Sequence, residues 1–174
     1  MFPHVPQDAK DIPTLIREVE LLVIEMEGCL TDGGAVIDAQ GDESITTCRA
    51  DALGLATWLE NGGKLVVTAR EKLIAARAWC DLHGFTYRKH RGVKNTLLNA
   101  VIFEHQLAPA QVCYLGADLD DLPAMMIAGL SAATAQSPAW VRDAAHLVLE
   151  APAGRGAVRE LVDRLLEYKK PAAD

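Results

Sequence analysis

Three short segments, each following an apolar run, carry the side chains of this chain best suited to chemistry. Glu25 and Glu27 stand two residues apart directly after Leu21-Leu22-Val23-Ile24. Carboxylates so paired at a strand end can act as nucleophile and acid/base partner or seat a cation; an acidic solvated turn is the plain alternative. Thr68-Ala69-Arg70 follows Leu65-Val66-Val67, and Glu71 is expected to open a helix. A hydroxyl with backbone N–H groups at a helix N-terminus suits an oxyanion, unless Thr68 is only a helix cap. Gly116-Ala117-Asp118-Leu119-Asp120-Asp121 follows Val112-Cys113-Tyr114-Leu115. Its acids either hold a metal or merely complement a helix dipole.

These segments gain meaning only if the fold gathers them. The runs at 21–24, 65–67 and 112–115 read as buried strands, with shorter candidates at 130–133 and 147–149. Helical patterns fall over about 52–61, 71–83, 93–105, 121–128, 138–145 and 157–168. Asn61-Gly62-Gly63 and His83-Gly84 supply glycine helix stops. Strand and helix alternating in this way predict an α/β fold: a three-layer, Rossmann-like parallel sheet with helices on both faces. In such a sheet ligands bind beyond the carboxyl ends of the strands, where all three segments lie. The stretch 35–48 breaks the alternation and reads as a β-hairpin flap around Gly41, with no separate cap domain. The expected division is a leader over 1–20 that ends in a short helical stretch to Val19, one domain over 21–168 and a tail over 169–174.

Composition narrows the function. At 174 residues the chain is long enough for one well-buried core without disulfide or metal staples. Half of the residues are hydrophobic and the net charge is −7 with no basic face, which argues against nucleic acid or an anionic membrane as partner. No apolar run approaches a membrane span and no signal peptide is visible, so a cytoplasmic location is expected. Cys29, Cys48, Cys80 and Cys113 match no metal or redox spacing and read as buried small hydrophobes. The five histidines are scattered and imply no zinc site, and Trp58, Trp79 and Trp140 read as core anchors.

The order of acidic pair, hairpin, Thr and glycine-led acidic cluster resembles the haloacid dehalogenase-like phosphatase superfamily. Within it the chain is most similar to the 3-deoxy-D-manno-octulosonate 8-phosphate (KDO 8-phosphate) phosphatases and their sialic-acid-pathway relatives. The resemblance spans about 21–166. It rests on Leu30-Thr31-Asp32-Gly33-Gly34, Asp51-Ala52-Leu53-Gly54, the segment 116–123, Gly129-Leu130-Ser131 and Gly154-Arg155-Gly156-Ala157-Val158-Arg159-Glu160. It implies a Mg2+-dependent phosphatase, a homotetramer joined through hairpins (here Val36, Ile37 and Ile45), and substrate contacts at Thr68, Ala69 and Arg155. Asp51 reads as the N-cap of the helix after the hairpin.

The departures from the family pattern fall on the chemistry. Glu25 and Glu27 stand where the family has the aspartate that attacks phosphorus and the one that protonates the leaving group. The family lysine, counted four residues after Gly92, falls on Thr96; Lys94, about 200° away round a helix, is expected to face outward. Ala117 replaces a metal-ligating aspartate, while Asp118 and Asp121 match. A glutamate carries its carboxylate about 1.5 Å further, and a misplacement of roughly 1 Å can cost about 100-fold in a positioned reaction. The expectation is a pseudo-phosphatase that binds a sugar phosphate or an active paralogue. The alternative is a phosphatase of a KDO- or sialic-acid-type sugar acid phosphate, with Glu25, Glu27, Asp118 and Asp121 around the metal.

Overall fold

A computed structural model of the chain describes residues 11–169 except 71 and 92. Strand β1 (Leu21–Glu25) is buried along its whole length because both edges and both faces are covered. Leu22 and Ile24 point into one core, and Leu21 and Val23 into the other, the period-two alternation of a strand between two helical layers. The flap follows as β2 (Val36–Ile37) and β3 (Glu43–Ser44), an antiparallel pair closed by Asp38, whose Oδ1 accepts from the backbone N–H groups of Gln40 and Asp42. Strands β4 (Lys64–Arg70), β5 (Tyr87–His90), β6 (Val112–Gly116), β7 (Leu130–Ala133) and β8 (Leu147–Val148) complete a six-stranded parallel sheet with β1, in the order β5-β4-β1-β6-β7-β8.

Helices α1 (Ile12–Glu18), α2 (Arg49–Glu60), α3 (Ile74–His83) and α7 (Ala157–Lys169) pack on one face, through Leu15, Trp58, Cys80 and Leu161 among others. The other face carries α4 (Lys94–Glu104), α5 (Leu122–Met125) and α6 (Ala139–Ala144), through Leu98, Met125 and Val141. The chain runs outward from β1 through β4 and β5, then crosses back to β6 and runs outward the other way. That reversal opens a crevice at the carboxyl ends of β1, β4 and β6.

Several expectations change. Strand β5 was not legible as an apolar run: Tyr87-Arg88-Lys89-His90 is an edge strand with a single neighbour, where charged side chains are tolerated and guard the edge. The short helical stretch expected at the end of the leader is α1, which buries Leu15 and Ile16 in the core; residues 1–10 and 170–174 lie outside the described residues. Trp58 is a core anchor, its Nε1 donating to the Lys64 carbonyl at 2.8 Å, whereas Trp140 is exposed. Cys29, Cys80 and Cys113 are buried free thiols and Cys48 is half-buried. Among the described residues no helix is long and apolar enough to cross a membrane.

Asp51 caps a different helix from the one expected. It lies inside the first turn of α2, fully buried, and accepts from the backbone N–H groups of Gly156 at 3.2 Å and Arg159 at 2.8 Å, so it caps α7 across the domain. Replacing Asp51 with Ala orphans both donors and is expected to cost about 1–2 kcal/mol. A urea midpoint that stays where it is would show that α7 needs no such cap.

Candidate functional site

The crevice becomes a cleft of about 490 Å3 at the strand ends. Glu25 is the last residue of β1, and pairing in register sets it beside Thr68 of β4. The chain then turns sharply: Glu27 is extended and Gly28 takes a φ of 79°, so that a Cβ on Gly28 would lie 2.7 Å from the Ala117 methyl. This turn lets the backbone after β1 pass under the loop after β6. Gly116 is equally constrained, since a Cβ there would meet Asp121 at 2.6 Å.

Glu25 is almost fully buried, and its Oε2 is shared. Thr68 Oγ1 donates to it at 3.0 Å, Lys94 Nζ stands at 3.1 Å and His90 Nε2 at 3.3 Å. Lys94 also reaches Asp121 Oδ1 at 2.8 Å and Asp120 Oδ1 at 3.3 Å. Both oxygens of Asp121 are committed: Oδ1 accepts from Lys94 and from the Tyr114 hydroxyl at 2.7 Å, and Oδ2 accepts from the backbone N–H groups of Ala117 and Asp118. Glu27 Oε1 takes the Arg70 Nε at 2.6 Å, while its Oε2 is buried with no partner among the described residues.

The electrostatics follow from this packing. Burial pushes the Glu25 carboxyl up to about 7, outweighing the pull of His90 and Lys94 in the other direction. Burial also acts on Glu27, but hydrogen bonds from Glu25 and Arg70 hold it below the usual carboxylate range. Burial works against the Lys94 ammonium as well, yet Asp121 and Glu25 keep it protonated well beyond its ordinary value. The Glu25 hydrogen bond raises His90.

Lys94 reverses the expectation for Thr96. The two residues do point to opposite sides of α4, but Lys94 is the buried one and Thr96 is exposed. Lys94 opens the helix in phase with Leu98, Val101 and Ile102, the i, i+4, i+7, i+8 stripe that faces the sheet. That apolar stripe was the available signal. His90 was missed for want of β5, whose carboxyl end delivers it to the same sheet edge as Glu25 and Thr68.

The other expected residues divide. Asp118 lines the cleft and accepts from the Leu119 N–H, while Ala69 turns its methyl into the core and offers no side chain to a ligand. Arg155 is exposed and outside the cleft lining. Among the described residues no group of three or more Asp, Glu, His or Cys side chains is arranged to hold a metal.

Two outcomes test this geometry. Lys94→Met leaves Glu25 and Asp121 buried without their cation and is expected to cost about 3–5 kcal/mol, whereas Thr96→Ala stays within about 0.5 kcal/mol; equal effects on the urea midpoint would contradict the buried lysine. The second concerns pH. Native Glu25 keeps its proton from about 4.5 to about 7, where the unfolded chain has lost it, so stability falls as pH rises through that window. The raised His90 acts with the same sign, its contribution complete below 6.5 and lost above its native value. Between about pH 5 and about pH 8 the protein should lose on the order of 2 kcal/mol more than its Glu25→Gln variant. Parallel pH profiles of the two would remove Glu25 as the cause.

No family model matches the chain. It is 30% identical to the 3-deoxy-D-manno-octulosonate 8-phosphate phosphatase of Yersinia pestis over 91% of this chain and 85% of that protein. It is also 30% identical, over 93% of its length, to the N-acylneuraminate cytidylyltransferase of Oncorhynchus mykiss, of which it spans only 38%. Among solved structures it is similar to the cobalt-bound deoxy-D-mannose-octulosonate 8-phosphate phosphatase of Haemophilus influenzae, with a TM-score of 0.85, 26% identity, and coverage of 89% of this chain and 91% of that one.

Proposed function

The chain belongs to the KDO 8-phosphate phosphatase family of the haloacid dehalogenase-like superfamily, and from that membership we propose that it is a pseudo-phosphatase, which keeps the fold and a binding cleft without phosphate ester turnover. The observation that carries this reading is the charge of the cleft. Glu25, Glu27, Asp118, Asp120 and Asp121 line it against Arg70 and Lys94 alone. Lys94 is already shared by three carboxylates and Arg70 is already paired to Glu27. Phosphoryl transfer needs spare positive charge where the phosphoryl oxygens gather negative charge, and this cleft has none to spare. Glu25 is moreover held by three donors and half protonated near neutrality, which leaves it a weak nucleophile.

The Mg2+ that the family implies does not fit the donors present. Ala117 offers a methyl, Asp121 has both oxygens filled, and Glu25 and Glu27 already face Lys94 and Arg70. In the subunit arrangement we propose, the exposed Val36 and Ile37 of the flap join copies of the chain, while Ile45 leans into the chain's own core. An active paralogue is the second partner this reading admits.

One observation favours the rival reading, hydrolysis of a KDO- or sialic-acid-type sugar acid phosphate by the two glutamates. Lys94 lies against Glu25, and Glu27 Oε2 is buried without a donor, as an acid/base group awaiting a proton would be. Assay of the purified protein with KDO 8-phosphate and millimolar Mg2+, beside calorimetric titration of Mg2+ alone, separates the two. We expect no turnover above background and no binding isotherm. Turnover that disappears in Glu25→Gln would establish the rival.

A further inference from the structure

Helix α3 packs on the sheet through Ala76 and Cys80, and its opposite side is not the polar surface such a helix normally shows. Ile74, Ala78 and Leu82, spaced one turn apart, form an outward line in which Ile74 is 78% and Leu82 79% exposed. On one flank this line runs into a cavity of about 550 Å3, whose walls include Leu82, Trp79 and the exposed Leu53 of α2. Single exposed apolar side chains are ordinary, but an aligned set that continues into a cavity marks a contact face. On the other flank stand Arg77 and Asp81, both well exposed, which meet at 3.6 Å.

The occupant this face fits is a second copy of itself. The line is symmetric about Ala78, with a large apolar residue four positions before it and another four positions after. If two such helices pack antiparallel about a two-fold axis beside Ala78, Ile74 of each comes level with the partner's Leu82. The small side chain of Ala78 at the centre lets the helices approach closely. The same operation reverses direction along the helix but keeps each flank on its own side. Arg77 then comes within one turn of the partner's Asp81, and Asp81 within one turn of the partner's Arg77. A parallel arrangement would instead set like charges level with each other. The charges therefore complement one another in the arrangement that also matches the apolar line. We propose that α3 is an isologous contact between two copies of this chain, packed antiparallel through Ile74, Ala78 and Leu82. The contact goes beyond the pseudo-phosphatase reading and does not depend on it, and it uses none of the exposed flap residues. A helix of this length spans only about 15 Å, which places the association in the micromolar range.

Sedimentation equilibrium of the whole chain across micromolar concentrations tests this. The wild-type chain is expected to associate. Ile74→Lys/Leu82→Lys changes two exposed positions, so the urea midpoint should hold while the particle mass falls by half. Arg77→Glu weakens association about fivefold or more, and Arg77→Glu/Asp81→Arg restores it. Ala78→Cys, opposite its own copy across the two-fold, gives a disulfide-linked dimer on mild oxidation, and Thr96→Cys on α4 does not. A chain that stays monomeric throughout would overturn the proposal and leave the line to a different protein. So would association that survives Ile74→Lys/Leu82→Lys but is lost in Val36→Lys/Ile37→Lys, which would put the contact on the flap. Association lost in the lysine variant without the Ala78→Cys cross-link would overturn the antiparallel arrangement. None of these readouts depends on turnover, which the hydrolysis assay reads separately.

Discussion

The Lys94 ammonium, buried between Glu25 and Asp121, is the interaction on which the rest of the site depends. It ties the end of β1 to the first turn of α4 and to the loop after β6, three elements from distant parts of the chain. Moving those charges out of water costs several kcal/mol per ion, and only close contacts with satisfied hydrogen bonds offset it. The Asp121 carboxylate meets that condition with four donors. Glu25 meets it only in part, and burial therefore raises its pKa. Such a cluster confers position more than stability: one arrangement of the three elements satisfies it.

The fold was legible where burial is complete and the site where a motif has fixed spacing. β1, β4 and β6 have core on both faces, so their sequences are unbroken apolar runs at their centres. β5 has one neighbour and no such run, and with it went His90. Glu25, Glu27, Thr68, Asp118 and Asp121 were found because each lies at or shortly beyond the carboxyl end of an apolar run. Lys94 was misread because a family spacing was given more weight than the helix's own apolar phase with Leu98 and Val101. Asp51 was placed on a helix end correctly but on the wrong helix. A cap acting across more than 100 residues leaves no local pattern to read.

Two cavities lie side by side at this end of the sheet, and Arg70 and Asp120 line both. The charged side chains lining the cleft at the ends of β1 and β6 are mostly acids, and the adjoining space is lined by Arg70, Lys72, His90 and Arg91 together with Glu43 and Asp120. Arg70 stands at the boundary, its Nε on Glu27 and its terminal nitrogen toward Glu43 of the flap. Arg70 thereby links the floor of the cleft to the hairpin above it, and whatever draws the guanidinium aside acts on both.

The strand order also has a consequence for how the protein is made. β1 is the central strand, yet the strands that flank it, β4 and β6, leave the ribosome about 40 and about 90 residues after it. Through most of synthesis a fully apolar segment thus has at least one open edge, and Glu25 at its tip lacks Lys94. Until the sheet closes, Glu25 stands in water as an ordinary carboxylate, and the burial that raises its pKa arrives only with the strands and helix that also bring Lys94.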